Sequence, residues 1–245
     1  MSEGIDSKHN SMFDSRHPRS VRRVGVCGFF SAIAVLVALS GCGESNIGDE
    51  STKINGSIHV PVGKQPGAVA TVNGSIHVDD NAAVTSATTV NGSVNLGDHA
   101  TATSLNSVNG SIALGTGAHV SGSASSVNGE LILGEGAEIS GSLSNVNGKI
   151  TVTAAHVGGG IKTVNGGMII TGASHVEGGI LVEKPSSELM QMVRDVPRIV
   201  IGPGATVQGD LRFERTVRLF VSDKATIGTV TGATPISFTG DTPPN

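Results

Sequence analysis

The sequence predicts an all-β protein, a single-stranded β-helix whose triangular coils each hold about eighteen residues. Three observations predict it. A Val-Asn-Gly motif recurs at a nearly fixed step, each repeat divides into three short alternating segments, and aromatic residues are almost missing.

The first 41 residues read as an export signal. Arg16, Arg19, Arg22 and Arg23 form a basic stretch, and an apolar run from Val24 to Leu39 follows it. Four interruptions by Gly25, Cys27, Gly28 and Ser31 make the run too short and too punctuated for a membrane span. It ends in Leu39-Ser40-Gly41-Cys42, which resembles the lipobox of bacterial lipoproteins. The resemblance implies removal of residues 1–41 and lipidation of Cys42, which would anchor the chain through its acyl groups. Gly43 stands where aspartate marks inner-membrane retention in enterobacterial lipoproteins, so the expected destination is the outer membrane. Cys27 lies inside the discarded segment, so the mature monomer has no partner for a disulfide.

Residues 42–53 are polar and aperiodic, as expected of an acylated cysteine and a tether. From residue 54 to 184 the chain is periodic. Seven Asn-Gly pairs recur: Asn55-Gly56, Asn73-Gly74, Asn91-Gly92, Asn109-Gly110, Asn128-Gly129, Asn147-Gly148 and Asn165-Gly166. Their asparagines are separated by 18, 18, 18, 19, 19 and 18 residues. From Asn73 the chain reads NGSIHV, DDNAAV, TSATTV, three short segments that each alternate apolar positions and carry a small-residue corner. One coil has no core of its own, but stacked coils pair strand on strand and align their Val, Ile and Leu in ladders. At about 4.8 Å per coil, nine or ten coils give a rod of roughly 45 Å. Asn-Gly suits the corners because it adopts positive φ readily. Asparagines stacked at one corner can also hydrogen-bond up the column. Independent hairpins with type I′ turns would use the same dipeptide, but they demand no constant step.

Residues 185–197 interrupt the pattern. Ser186 and Ser187 precede an apolar stripe over residues 188–195, and Pro197 closes it, which predicts a short helical insert lying on the flank. Residues 198–234 resume the coil pattern with bulkier strands, as terminal coils and cap, and residues 235–245 read as a tail.

Composition limits the function. The chain has 35 glycines, no tryptophan, no tyrosine and six phenylalanines, of which only Phe213, Phe220 and Phe238 follow Cys42. Beyond Cys42 there are eleven Lys and Arg against seventeen acids, a formal net charge of −6. An acidic chain without stacking rings is a poor fit to nucleic acid, and sugar platforms built on aromatic rings are excluded for the same lack.

The Val-Asn-Gly-Ser-Ile copies resemble the adhesin-type β-strand repeat domains of unknown function. The glycine-spaced segments, such as Gly134 to Leu143 and Ile201 to Leu211, resemble bactofilins, the polymer-forming cytoskeletal proteins. The second likeness implies a right-handed triangular β-helix that polymerises end to end without nucleotide. The lipobox, the Asn-Gly corners and the insert depart from it.

No residues suggest a catalytic centre. His59 and His77 fall in the same slot of adjacent coils and point outward, as a metal pair would, but Asn95, Ala113 and Ile132 continue that slot without a third ligand. His119 and His175 are 56 residues apart, about three coils, and cannot share an ion. Asp79, Asp80 and Asp98 read as solvated corners. The segment Ile201-Gly202-Pro203-Gly204-Ala205 resembles hexapeptide-repeat acyltransferases, yet no long loop carries their catalytic histidine. The expectation is therefore a non-enzymatic envelope lipoprotein without metal, cofactor or small-molecule substrate. It would work as a rigid scaffold or adhesin-like surface for a protein partner or for its own copies, with bactofilin-like polymerisation as the alternative.

Overall fold

The computed structural model describes residues 45–47, 50–185 and 196–244. It is a β-solenoid of about ten coils, and no described residue is helical. The first face begins just after the Asn-Gly corner. It is a ten-stranded parallel sheet running from Ile58–Val60 through Val94–Leu96 and Ile150–Thr153 to Ile236–Phe238. The second face is made of two-residue strands such as His119–Val120, Glu138–Ile139, His156–Val157 and His175–Val176. The third holds Ala68–Asn73, Ala124–Asn128, Leu143–Asn147 and their equivalents. In two coils the strands Ala83–Asn91 and Thr101–Asn109 bend around the corner between the second and third faces, so both belong to one seventeen-stranded sheet.

Every pairing between coils is parallel and in register; the antiparallel exception joins Ser45–Ile47 to Glu50–Asn55 at the N-terminal end. Parallel stacking excludes the hairpin arrangement. The alternation of the sequence becomes alternation of burial. Ile76 and Val78 are buried around the exposed His77, and Leu131 and Leu133 around the exposed Ile132. A single apolar cluster, Val, Ile, Leu and Ala with Met168 and Phe213, runs from Ile58 to Val221. Aliphatic residues suffice because each coil encloses so narrow a space.

Two boundaries differ from those expected. Glu50–Asn55 already pairs with the next coil, so the stack starts inside the expected tether. Ile236–Phe238 is the tenth strand of the first face, so the sheet continues into the expected tail. Both segments alternate too briefly to be recognised outside the repeat. The helical stripe at 188–195 lies outside the described residues. In the chain that segment falls between Ile180–Val182 and Arg198–Ile201, where an Asn-Gly corner would otherwise stand.

The nineteen-residue steps also have a local cause. Val120 and Ala124 pair with Ala102 and Leu105, so Ser121-Gly122-Ser123 replaces Thr103-Ser104 at the third corner, one residue longer. No helix among the described residues is long and apolar enough to cross a membrane.

Candidate functional site: polar columns along the solenoid

Asn55, Asn73, Asn91, Asn109, Asn128, Asn147 and Asn165 form one column at the first corner. Each amide nitrogen donates to the side-chain oxygen of the asparagine one coil earlier. The distances are 2.9 Å from Asn73 to Asn55, 3.0 Å from Asn91 to Asn73, and 2.9 Å from Asn109 to Asn91. They continue at 2.9 Å from Asn128 to Asn109, 2.7 Å from Asn147 to Asn128 and 2.8 Å from Asn165 to Asn147. The ladder ends on a cation. Arg215 donates to the Asn165 side-chain oxygen and, at 3.1 Å, to the Val164 carbonyl. Lys184 and Arg215 hold the asparagine slot in the two following coils, two residues after Val182 and Phe213, which stack on Thr163. With lysine in place of asparagine at 184, a long side chain from one coil further on reaches back to the last amide.

The glycines of these pairs are required for a reason other than the expected one. Of the seven, Gly56 and Gly148 have positive φ, at 108° and 116°; Gly74, Gly92, Gly110, Gly129 and Gly166 do not. What excludes a side chain is the neighbouring coil. A Cβ on Gly110 would lie 2.0 Å from the Gly92 carbonyl oxygen, and one on Gly74 would lie 2.2 Å from that of Gly56. The left-handed turns sit at the second corner, in a column containing Asn81, His99, Gly117, Gly136, Ala154, Gly172 and Gly204.

Behind the asparagine column runs a second, buried one that the sequence reading missed. Thr71, Thr89, Ser107, Ser126, Asn145 and Thr163 point inward among the aliphatic residues. Five of their hydroxyls or amides bond the glycine carbonyl one coil earlier, among them Thr89 to Gly74 at 2.9 Å, Ser107 to Gly92 at 3.2 Å, Ser126 to Gly110 at 3.1 Å and Asn145 to Gly129 at 2.9 Å. Thr71 bonds Gly56 in the same way at 3.0 Å. The corner is thus fastened from outside by amides and from inside mainly by hydroxyls. A buried carbonyl left unpaired would be costly. The signal was present, since these six residues follow the same steps as the asparagines.

Acidic corners also hold neighbouring coils. Asp80 accepts the Asp98 backbone N–H at 2.8 Å, and Asp98 accepts that of Thr116 at 2.7 Å. Asp79 does something different. His59 and His77 stack with ring centroids 5.7 Å apart, and Asp79 Oδ1 lies 2.8 Å from His59 Nε2 and 3.2 Å from His77 Nε2. The slot itself holds no third ligand, as expected, but a carboxylate arrives from outside it, two residues along the strand, where period two returns it to the same side.

On the second face one column runs Thr101, His119, Glu138, His156, His175, Thr206 and Thr226. His119 and His175 are separated as expected, but His156 lies between them and stacks on His175, with centroids 5.7 Å apart. Glu177 Oε1 lies 3.1 Å from His156 Nε2, and Glu138 bridges His119 at 3.2 Å and His156 at 3.7 Å.

Cys42, the expected lipidation site, lies outside the described residues. No family model, curated protein or solved structure matches this chain.

Proposed function

We propose that the chain is a non-enzymatic lipoprotein of the cell envelope, anchored through Cys42, that presents its solenoid as a rigid scaffold or adhesin-like surface to a protein partner. The observation that carries this reading is the continuous ten-stranded parallel face, which holds outward side chains at fixed intervals on an inextensible frame. The Leu39-Ser40-Gly41-Cys42 box supplies the anchor. Crosslinking and pull-down from intact envelopes tests the reading. A partner captured by the native chain and lost from its Cys42→Ala form supports it; release of the native chain by salt washing, without detergent, overturns the anchor.

A second reading, a bactofilin-like envelope filament, draws on the ends of the stack. Ile58–Val60 and Ile236–Phe238 are terminal strands of the first face, and among the described residues each has one edge without a paired strand. Such edges can template another chain. Filaments that grow with concentration of the Cys42→Ala protein in electron microscopy favour this reading; a strict monomer in light scattering removes it.

A further inference from the structure

We infer that the outer surface carries two binding sites for a divalent transition-metal ion, one at His59, His77 and Asp79 and the other at His156, His175 and Glu177. In each trio the ligand atoms lie within 4.8 Å of one another. Neither trio belongs to the corner columns that hold the coils together.

The two trios are built by one rule on two different faces. A histidine in one coil sits directly under a histidine in the next, His59 under His77 and His156 under His175. The second histidine is followed by valine and then by a carboxylate, in His77-Val78-Asp79 and in His175-Val176-Glu177. The valine turns inward and is buried, so the carboxylate returns to the histidine's side. It then reaches back to the first coil, 2.8 Å from His59 Nε2 and 3.1 Å from His156 Nε2. The rings are tilted alike, by 38° and 31°, at the same 5.7 Å spacing. Solvent-facing positions of a strand are free to vary, so independent recurrence of one three-residue geometry on two faces is not explained by folding.

The donor set identifies the chemistry. Two imidazoles and one carboxylate suit Zn²⁺, and also Cu²⁺ or Ni²⁺, in preference to Mg²⁺ or Ca²⁺. Three protein ligands leave a fourth position for water or for an exposed group of a partner. Ligand bonds of about 2.0–2.1 Å set tetrahedral ligand-to-ligand distances near 3.3 Å. The 3.2 Å between His77 Nε2 and Asp79 Oδ1 is already close to this. Binding places each ring proton on the nitrogen away from the ion. In the second site Glu138 lies 3.7 Å from His156 Nδ1, where it can take up that proton contact and orient the ring. Each ion would join two adjacent coils.

Zn²⁺ uptake by the full-length chain, followed by equilibrium dialysis, tests the assignment. The stack itself supplies mild replacements: Asn95 continues the His59 slot, and Thr206 and Thr226 continue the His156 slot. His59→Asn with His77→Asn is expected to remove one equivalent of Zn²⁺ relative to the native chain. His156→Thr with His175→Thr is expected to remove another, and the four together both. Circular dichroism checks that the sheets persist. Should a histidine variant lose its fold, Asp79→Asn and Glu177→Gln, each confined to a single carboxylate, half-buried in Asp79 and exposed in Glu177, are each expected to abolish one equivalent at limiting Zn²⁺. Unchanged stoichiometry in the folded histidine variants, or in both carboxylate variants, overturns the proposal.

Discussion

Up to Asn165, the inward residue two places before the corner asparagine is polar: Thr71, Thr89, Ser107, Ser126, Asn145 and then Thr163. In the coils beyond, the same slot holds Val182 and Phe213. The change coincides with the loss of Asn-Gly from the corner. The two regions teach that the buried hydroxyls are tied to the glycine corner and have no place without it. The carbonyls of the glycine corner take their hydrogen-bond partner from the core side. Once Asn-Gly is lost from that corner, the slot takes an aliphatic or aromatic side chain. The late coils add aromatic packing instead. Val200, Phe220 and Phe238 cluster with Ile169, and the guanidinium groups of Arg198 and Arg218 lie 4.7 Å and 5.2 Å from the Phe220 ring centroid.

The sharpest way to break this contrast is to add one methyl to the early corner. Gly110→Ala would force a Cβ to 2.0 Å from the Gly92 carbonyl oxygen, against backbone that cannot rotate away. The expected loss is about 3 kcal/mol, read from the urea midpoint of the chain. Gly167→Ala, one residue past the last glycine corner, meets its nearest atom, the Arg198 carbonyl oxygen of the following coil, at 3.2 Å and should cost clearly less. Equal losses would show that close approach is not what selects glycine in the early coils.

A reciprocal exchange tests the inner slot next. Thr89→Val keeps the shape but strips the Gly74 carbonyl of its 2.9 Å partner. Val182→Thr puts a hydroxyl one coil past Gly166, the last corner glycine, into a slot that the chain fills with an aliphatic side chain. Each should cost about 2 kcal/mol, although the substitutions run in opposite directions. A neutral Val182→Thr would mean the late slot can satisfy a hydroxyl after all.

Breaking the outer ladder should cost less, because water reaches the exposed amides. Asn109→Ala removes two bonds, those to Asn91 and from Asn128, whereas Asn55→Ala removes only the one from Asn73. At about 0.5–1 kcal/mol per exposed bond, the interior change should be roughly twice as damaging as the terminal one in thermal melts.

These effects also mark what could be read from the sequence. The coil period, the three faces and the inward ladders followed from the asparagine spacing, because stacking makes distant residues equivalent. The corner chemistry did not, since a glycine needed for left-handed φ and one needed for close approach look alike in a sequence. The inner polar column was hidden for a related reason. Thr and Ser alternate as naturally as Val in a strand, and only their shared step distinguishes Thr89 and Ser107 from surface residues. Asp79 was separated from His59 and His77 because comparing only equivalent slots overlooks a side chain reaching diagonally. The longer third corner at Ser121-Gly122-Ser123 was visible only as a nineteen-residue step whose location within the coil was unmarked.

The smallest expected effect concerns the second corner, which both regions share. Its left-handed column is glycine at Gly117, Gly136, Gly172 and Gly204, but Ala154 holds the same turn at φ 47°. A β-carbon there costs about 1–2 kcal/mol against the following carbonyl oxygen. Glycine would relieve this but adds freedom to the unfolded chain, which returns about 0.4–1 kcal/mol. The balance favours Ala154→Gly by about 0.5 kcal/mol, a small upward shift of the urea midpoint. Asn81, at φ 56°, belongs to a residue type that tolerates this region, so Asn81→Gly should gain less or nothing. A larger gain at Asn81 than at Ala154 would show that the second corner is strained by its stacking and not by its backbone angle.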